Sequence, residues 1–194
     1  LGKVYKAHYP YQSMETARGA KKSAIYDRLK ARGAYFKDVS GWEGADWFAQ
    51  EGQEAKIEKH SWGRADWFAN WEKEHKAARE NVILMDMSFM SKFMVQGRDA
   101  GKVLDYISAN EVNNKLNQVT YTPWLNKNGK LEADLTVAKL EEEKFLVVVT
   151  DTMHHHAETW LKRNIPADSH AFVSDMTSAY AQINIQGSKS RKLM

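Results

Sequence analysis

Hydrophobic and polar positions alternate most clearly between residues 119 and 150. Three runs there, 119–126, 131–140 and 145–150, read as a meander of antiparallel strands. Asn128-Gly129 stands between the first two runs. That dipeptide favours a two-residue type I′ turn, which sets Lys127 opposite Lys130, Leu125 opposite Glu132, Pro123 opposite Asp134 and Tyr121 opposite Thr136. In this register Leu131, Ala133, Leu135 and Val137 share a core face, and Tyr121 and Asp134 become diagonal neighbours on the other. An acid and a phenol beside a proline read as the floor of a site. A face simply wetted by solvent gives the same alternation, so the pattern alone leaves both readings open.

The rest of the chain supplies helices and further strands. Ser23 is placed to cap a helix over 24–32 that Gly33 stops, and a short strand follows over 34–39. Ala45-Asp46-Trp47-Phe48-Ala49 returns as Ala65-Asp66-Trp67-Phe68-Ala69. Two copies do not make a solenoid, and they read as aromatic plugs pinning a long loop over 41–70. A helix is expected over 71–80, strands over 82–87 and 91–96, a helix opening at Gly97-Arg98-Asp99 and running to 109, a helix over 154–163, and strands over 171–176 and 180–186. Antiparallel strands with interspersed helices define an α+β class, mainly antiparallel sheet with flanking helices.

Composition narrows the function classes. With 194 residues, 43% of them hydrophobic, the chain can fill a core of ordinary size. Its net charge of +3 comes from 28 basic and 25 acidic residues spread along the whole length, and the tryptophans do not interleave with a basic run, so nucleic acid is not an expected partner. The absence of cysteine removes disulfides and thiolate metal sites and fits a reducing compartment. No apolar run approaches the ~18 residues of a membrane span. Residues 1–22 are basic, punctuated and without period, and read as a connecting arm. Leu1 is not an initiator methionine and 187–194 breaks off in a starting helix, so a piece of a longer polypeptide is expected.

Few residues carry recognisable chemistry. Successive histidines on a helix fan out by about 100° each, so His154, His155 and His156 are not expected to converge on one ion, and no metal site is expected. His60, His75 and His170 lack ligand spacing. There is no Gly-x-Gly-x-x-Gly, phosphate loop or nucleophile elbow. Asp86 reads as a capping or turn residue, Met85, Met87, Met90 and Met94 as an apolar lining, and Glu141 to Glu143 as a polar turn.

Taken in order, Ser23-Ala24-Ile25-Tyr26-Asp27-Arg28-Leu29, Gly41-Trp42-Glu43, Met85-Asp86-Met87-Ser88-Phe89-Met90, Tyr121-Thr122, Asn128-Gly129, Glu132-Ala133-Asp134-Leu135 and Ile185-Gln186-Gly187 resemble the opening half of the glycine-cleavage T-protein, or aminomethyltransferase, family. The stretch 9–19 and His60-Ser61-Trp62-Gly63-Arg64 are similar to the flavin-linked branch, the dimethylglycine and sarcosine dehydrogenases. The resemblance implies a T-protein-like folate-binding lobe over 23–194, truncated at its C-terminus. The arm at 1–22 would follow a flavin domain carrying FAD, and a second folate lobe would lie beyond the chain. A small N-methyl amine would be oxidised by the flavin part and its one-carbon unit captured on tetrahydrofolate. Asp134 matches the catalytic aspartate, Tyr121 a folate-site tyrosine and Met90 a pterin-contacting methionine, and the acid would sit in a largely apolar pocket. Ala133 stands where many T-proteins carry a second acid, as is usual in the flavin-linked branch. A bacterial cytoplasmic or mitochondrial matrix setting is implied. A free-standing aminomethyltransferase and a non-catalytic regulatory module of the same fold are the alternatives.

Overall fold

The computed structural model describes residues 2 and 5–194; Leu1, Lys3 and Val4, in the expected arm, lie outside the described residues. Two compact units form. One is made from residues before Ser88 together with those after Ala181, the other from Ser88–Ala181.

The Ser88–Ala181 unit is a five-stranded antiparallel sheet with helices on one face. Its strands are β4 (Ser91–Gln96), β5 (Val119–Leu125), β6 (Leu131–Glu141), β7 (Lys144–Val149) and β8 (Phe172–Asp175), in the spatial order β5-β6-β7-β4-β8. Two helices, α3 (Ala100–Ile107) and α4 (His154–Asn164), cover the face that carries Phe93, Val95, Trp124, Val137, Phe145 and Val147; Leu104 and Leu161 complete this core. Burying each such side chain stabilises the fold by roughly 1.5–3 kcal/mol. Gly97 makes the β4 to α3 turn at φ +124°, where a Cβ would meet the His170 carbonyl at 2.2 Å. Only glycine fits there.

The hairpin of β5 and β6 has the expected register over most of its length but a different turn. Tyr121 pairs with Thr136 and Pro123 with Asp134, whereas Leu125 pairs with Leu131 rather than Glu132. Gly129 has φ +71° but Asn128 is not left-handed, so a type I′ turn, which needs positive φ at both central residues, is not formed. Instead the Gly129 N–H donates to the Asn126 carbonyl and the Asn126 N–H to the Lys130 carbonyl, a type I turn closed by a left-handed glycine. Asn126 holds this turn: its Oδ1 accepts from the Asn128 and Lys130 N–H groups and its Nδ2 donates to Glu132. The turn shifts the pairing by one residue, and a bulge between Trp124 and Leu125 shifts it back. Leu131, on the turn side of the bulge, is therefore 63% exposed instead of joining the core.

In the other unit, α1 (Tyr26–Ala31) precedes an antiparallel hairpin of β1 (Ala34–Val39) and β2 (Trp42–Phe48), followed by α2 (Phe68–Glu80). A second antiparallel pair joins β3 (Ile83–Asp86) to β9 (Ile183–Gln186), and α5 (Ser190–Leu193) follows. Ser23 does not cap α1; its hydroxyl donates to Asp86, an acceptor brought near only by tertiary folding. The repeated aromatic motif is also not confined to a loop. Its first copy lies in β2 and its second opens α2, and the buried Trp47 and Trp67 stack with ring centroids 6.4 Å apart. Residues of the expected arm lie along β1 and β2. Arg18 Nε and Nη2 donate to Glu43 at 3.0 and 2.5 Å, the Glu43 N–H donates to the Lys21 carbonyl, and the Asp38 N–H donates to Ser13 Oγ. Among the described residues no helix is long and apolar enough to cross a membrane.

Candidate functional site

Tyr121 and Asp134 stand on the sheet face opposite α3 and α4. Diagonal neighbours across β5 and β6 are within reach of an aromatic side chain, and the Tyr121 hydroxyl donates to Asp134 Oδ2 at 2.9 Å. That hydrogen bond, followed by the carboxylate's charge, raises the Tyr121 pKa above its ordinary value near 10. Both residues are exposed, Tyr121 by 64%. The largely apolar pocket expected around Asp134 is thus not built by the described residues, because both helices of this unit pack on the other side of the sheet. What they build is an open shelf, an aromatic ring beside a carboxylate with Oδ1 available to a donor.

The ladders continue this face across the sheet toward β4, where it is buried rather than open. Tyr121, Thr136, Val148 and Lys92 form one row over β5, β6, β7 and β4. Pro123 and Asp134 head the next row, which, continued one residue past the ends of β7 and β4, reaches Thr150 and Met90. Met90 lies at a bend just before β4 and is half-buried. Its position falls about 10 Å from that of Asp134, two strand spacings away. Of the three residues singled out from sequence, Tyr121 and Asp134 are in contact on one face, and Met90 lies at the bend just beyond the end of β4.

Lys92 has a part in this face that sequence reasoning missed. Only 2% exposed, it donates from Nζ to the Ser88 carbonyl at 2.9 Å and the Met90 carbonyl at 2.5 Å, fastening the turn that carries Met90. The available signal was a lysine inside an apolar strand, in phase with Met94 and out of phase with Phe93 and Val95.

The histidine run divides. His156 faces Glu132 at 3.0 Å and stacks on Trp160, while His154 and His155 turn toward Glu158, with one ligand atom from each of the three within 4.8 Å of the others. His156 turns away from this group, whereas His154 and His155, adjacent on the helix, both reach toward one carboxylate.

The model of the GCVT N-terminal domain family matches residues 25–194. The chain belongs to this family. Its fold agrees: the crystal structure of the glycine cleavage system aminomethyltransferase T from Bartonella henselae superposes with a TM-score of 0.71 at 20% identity, over 89% of this chain and 42% of that one. Among curated relatives, the chain is 37% identical over all its 194 residues to 4-methylaminobutanoate oxidase (formaldehyde-forming) of Paenarthrobacter nicotinovorans, and covers 23% of that protein. It is 28% identical over 191 residues, 96% of its length, to the mitochondrial pyruvate dehydrogenase phosphatase regulatory subunit of Mus musculus, and covers 22% of it. The chain thus spans less than a quarter of the length of these two relatives. The α+β, T-protein-like architecture expected from the residues is the one found.

Proposed function

We propose that this chain is the T-protein-like part of an FAD-linked N-methyl-amine dehydrogenase or oxidase of the dimethylglycine and sarcosine dehydrogenase kind, and that its Tyr121–Asp134 shelf binds tetrahydrofolate to receive a one-carbon unit. The observation that carries the reading is the 2.9 Å hydrogen bond between Tyr121 and Asp134 on an open sheet face. An exposed ring next to a carboxylate with an open oxygen suits a flat heteroaromatic that presents N–H donors, so the residues fit the group. Similarity to an oxidase named as formaldehyde-forming supports the oxidative half, and membership of the GCVT N-terminal domain family supports the transfer half.

Tetrahydrofolate, when bound, supplies the nucleophilic nitrogen that takes the one-carbon unit. Asp134 orients the pterin edge by accepting an N–H at Oδ1, and its negative charge stabilises positive charge developing near the reacting nitrogen. Tyr121 holds Oδ2, which fixes the carboxylate plane and directs Oδ1 outward. Met90, on the turn tied by Lys92, supplies an apolar contact across the shelf. Asp134 would take up the proton that leaves the attacking nitrogen as that nitrogen bonds the one-carbon unit, which is general-base assistance.

The test is one-carbon capture by the intact protein. With Asp134→Ala, amine oxidation should continue while the methylene unit leaves as formaldehyde rather than on tetrahydrofolate; undiminished capture would rule the assignment out. Similarity to a regulatory subunit over nearly the whole chain favours a second reading, a binding module without chemistry. Absence of tetrahydrofolate binding to the intact protein by calorimetry at millimolar ligand would support that alternative.

A further inference from the structure

We propose that the start of α4 and the adjoining end of β8 form a site for a divalent transition-metal ion of the zinc class, held by His154, His155 and Glu158 with Asp175 beside them. Glu158 follows His154 by four residues and His155 by three, so one helical turn carries its carboxylate toward both rings. The three ligand atoms already lie within 4.8 Å of one another. Small side-chain rotations close that spread to the ~3.4 Å separation of donors lying ~2.1 Å from one tetrahedral ion.

His154 is fixed in advance. Its ring packs on buried Phe93 with centroids 5.2 Å apart, and its Nδ1 lies 2.9 Å from Oγ of the buried Ser91. With Nδ1–H donated to that hydroxyl, Nε2 presents its lone pair, the arrangement by which a second partner usually sets the tautomer of a metal-binding histidine. Nε2 then faces Asp175 Oδ2 at 3.4 Å. A lone pair and a carboxylate oxygen so placed call for a positive charge between or beside them. A proton on Nε2 satisfies that pair alone and gives His155 and Glu158 no part; a metal ion engages the three residues whose ligand atoms lie together, with Asp175 beside His154.

The carboxylates are suited to the task. Asp175 is held in place by the Thr177 N–H, which donates to its Oδ1 at 2.9 Å and leaves Oδ2 toward His154. Glu158 also accepts from Lys162 at 2.6 Å, and that exposed ion pair can share a carboxylate with a metal at little cost. Imidazole and carboxylate donors without thiolate select zinc, cobalt or nickel over the softer ions, and a ligand set with an open position leaves room for water. The helix end points its positive dipole at the site, which weakens cation binding and makes the Glu158 carboxylate necessary.

Calorimetric titration of the protein with Zn²⁺, and with Co²⁺ followed by its visible absorption, tests the assignment. One ion should bind per chain with release of protons, and His155→Ala and Glu158→Gln should each weaken binding by about tenfold or more. His156→Ala, which alters the same histidine run but leaves the assigned set intact, should change affinity by less than about threefold. Glu158→Gln is exposed enough to keep the fold, so its effect reads ligation directly. The proposal fails if no saturable binding occurs, if His156→Ala weakens binding as much as His155→Ala, if Glu158→Gln leaves affinity unchanged, or if the urea-unfolded chain binds equally well.

Discussion

The Tyr121 hydroxyl donates to Asp134 Oδ2 across two strands at 2.9 Å, and it does so on the sheet face that the unit's own helices leave open. A contact of this kind stabilises the neutral phenol. Tyr121 should therefore ionise later than an ordinary tyrosine, and any stability it adds is present below the unfolded value near pH 10 and lost as pH rises through its folded value. In a spectrophotometric titration two tyrosines should lag, Tyr121 through its hydrogen bond and Tyr35 mainly through burial. Asp134→Asn should return one of them, and only one, toward the normal range.

The hairpin turn makes a second contrast. Gly129 holds φ +71° with open space around its Cβ position, so Gly129→Ala should cost about 1 kcal/mol from backbone strain alone. Asn128 is not left-handed, and its side chain should be replaceable by alanine within roughly 0.5 kcal/mol. Asn126→Ala removes three hydrogen bonds at an exposed turn and should cost about 1–2 kcal/mol. Denaturant midpoints of the three variants would order them; Asn128→Ala as the most damaging would mean the turn is type I′ after all.

Acid sensitivity should track Glu43. Hydrogen bonds from Arg18 lower its pKa most, burial opposes them, and the Gly19 N–H and nearby positive charge add to the lowering. The stabilisation is complete above the unfolded carboxyl value near 4.3 and disappears as pH falls through the lower folded value. Glu43→Gln should cost about 2 kcal/mol at pH 7 and much less at pH 3, measured by urea denaturation at both. An equal loss at the two pH values would contradict the charged pairing.

Lys92 offers a test of how the shelf is held together. Lys92→Met keeps the buried stem but leaves the Ser88 and Met90 carbonyls without that donor, for a loss of about 1–3 kcal/mol. Hydrogen exchange should rise over residues 88–91 while the β5–β6 ladder stays protected. Tetrahydrofolate binding should weaken more than amine oxidation by the intact protein if Met90 faces the ligand.

Alternation and turn chemistry placed nearly every element of the Ser88–Ala181 sheet within a residue or two, because a strand with one buried face writes its period into the sequence. The Tyr121–Thr136 register was legible too, though for a reason the sequence concealed. The expected turn was wrong by one residue, and the bulge beside Leu125 restores the count, leaving Leu131 outside the core. Ser23 looked like a helix cap because local rules cannot see Asp86. The repeated aromatic motif looked like loop filling because its stacking partner is the other copy, 20 residues away.

By itself the sequence determined the α+β class, the strand and helix order of the Ser88–Ala181 unit, and the pairing of an acid with a phenol on one face, since each follows from local period and turn preference. Tertiary structure alone decided that β8 joins β4 while β9 joins β3, that Lys92 is buried on the shelf, and that His154 and His155 separate from His156 to approach Glu158. Those outcomes depend on contacts between residues far apart in the chain. Their energies come from burial and from matching distant donors to acceptors, which no local pattern records.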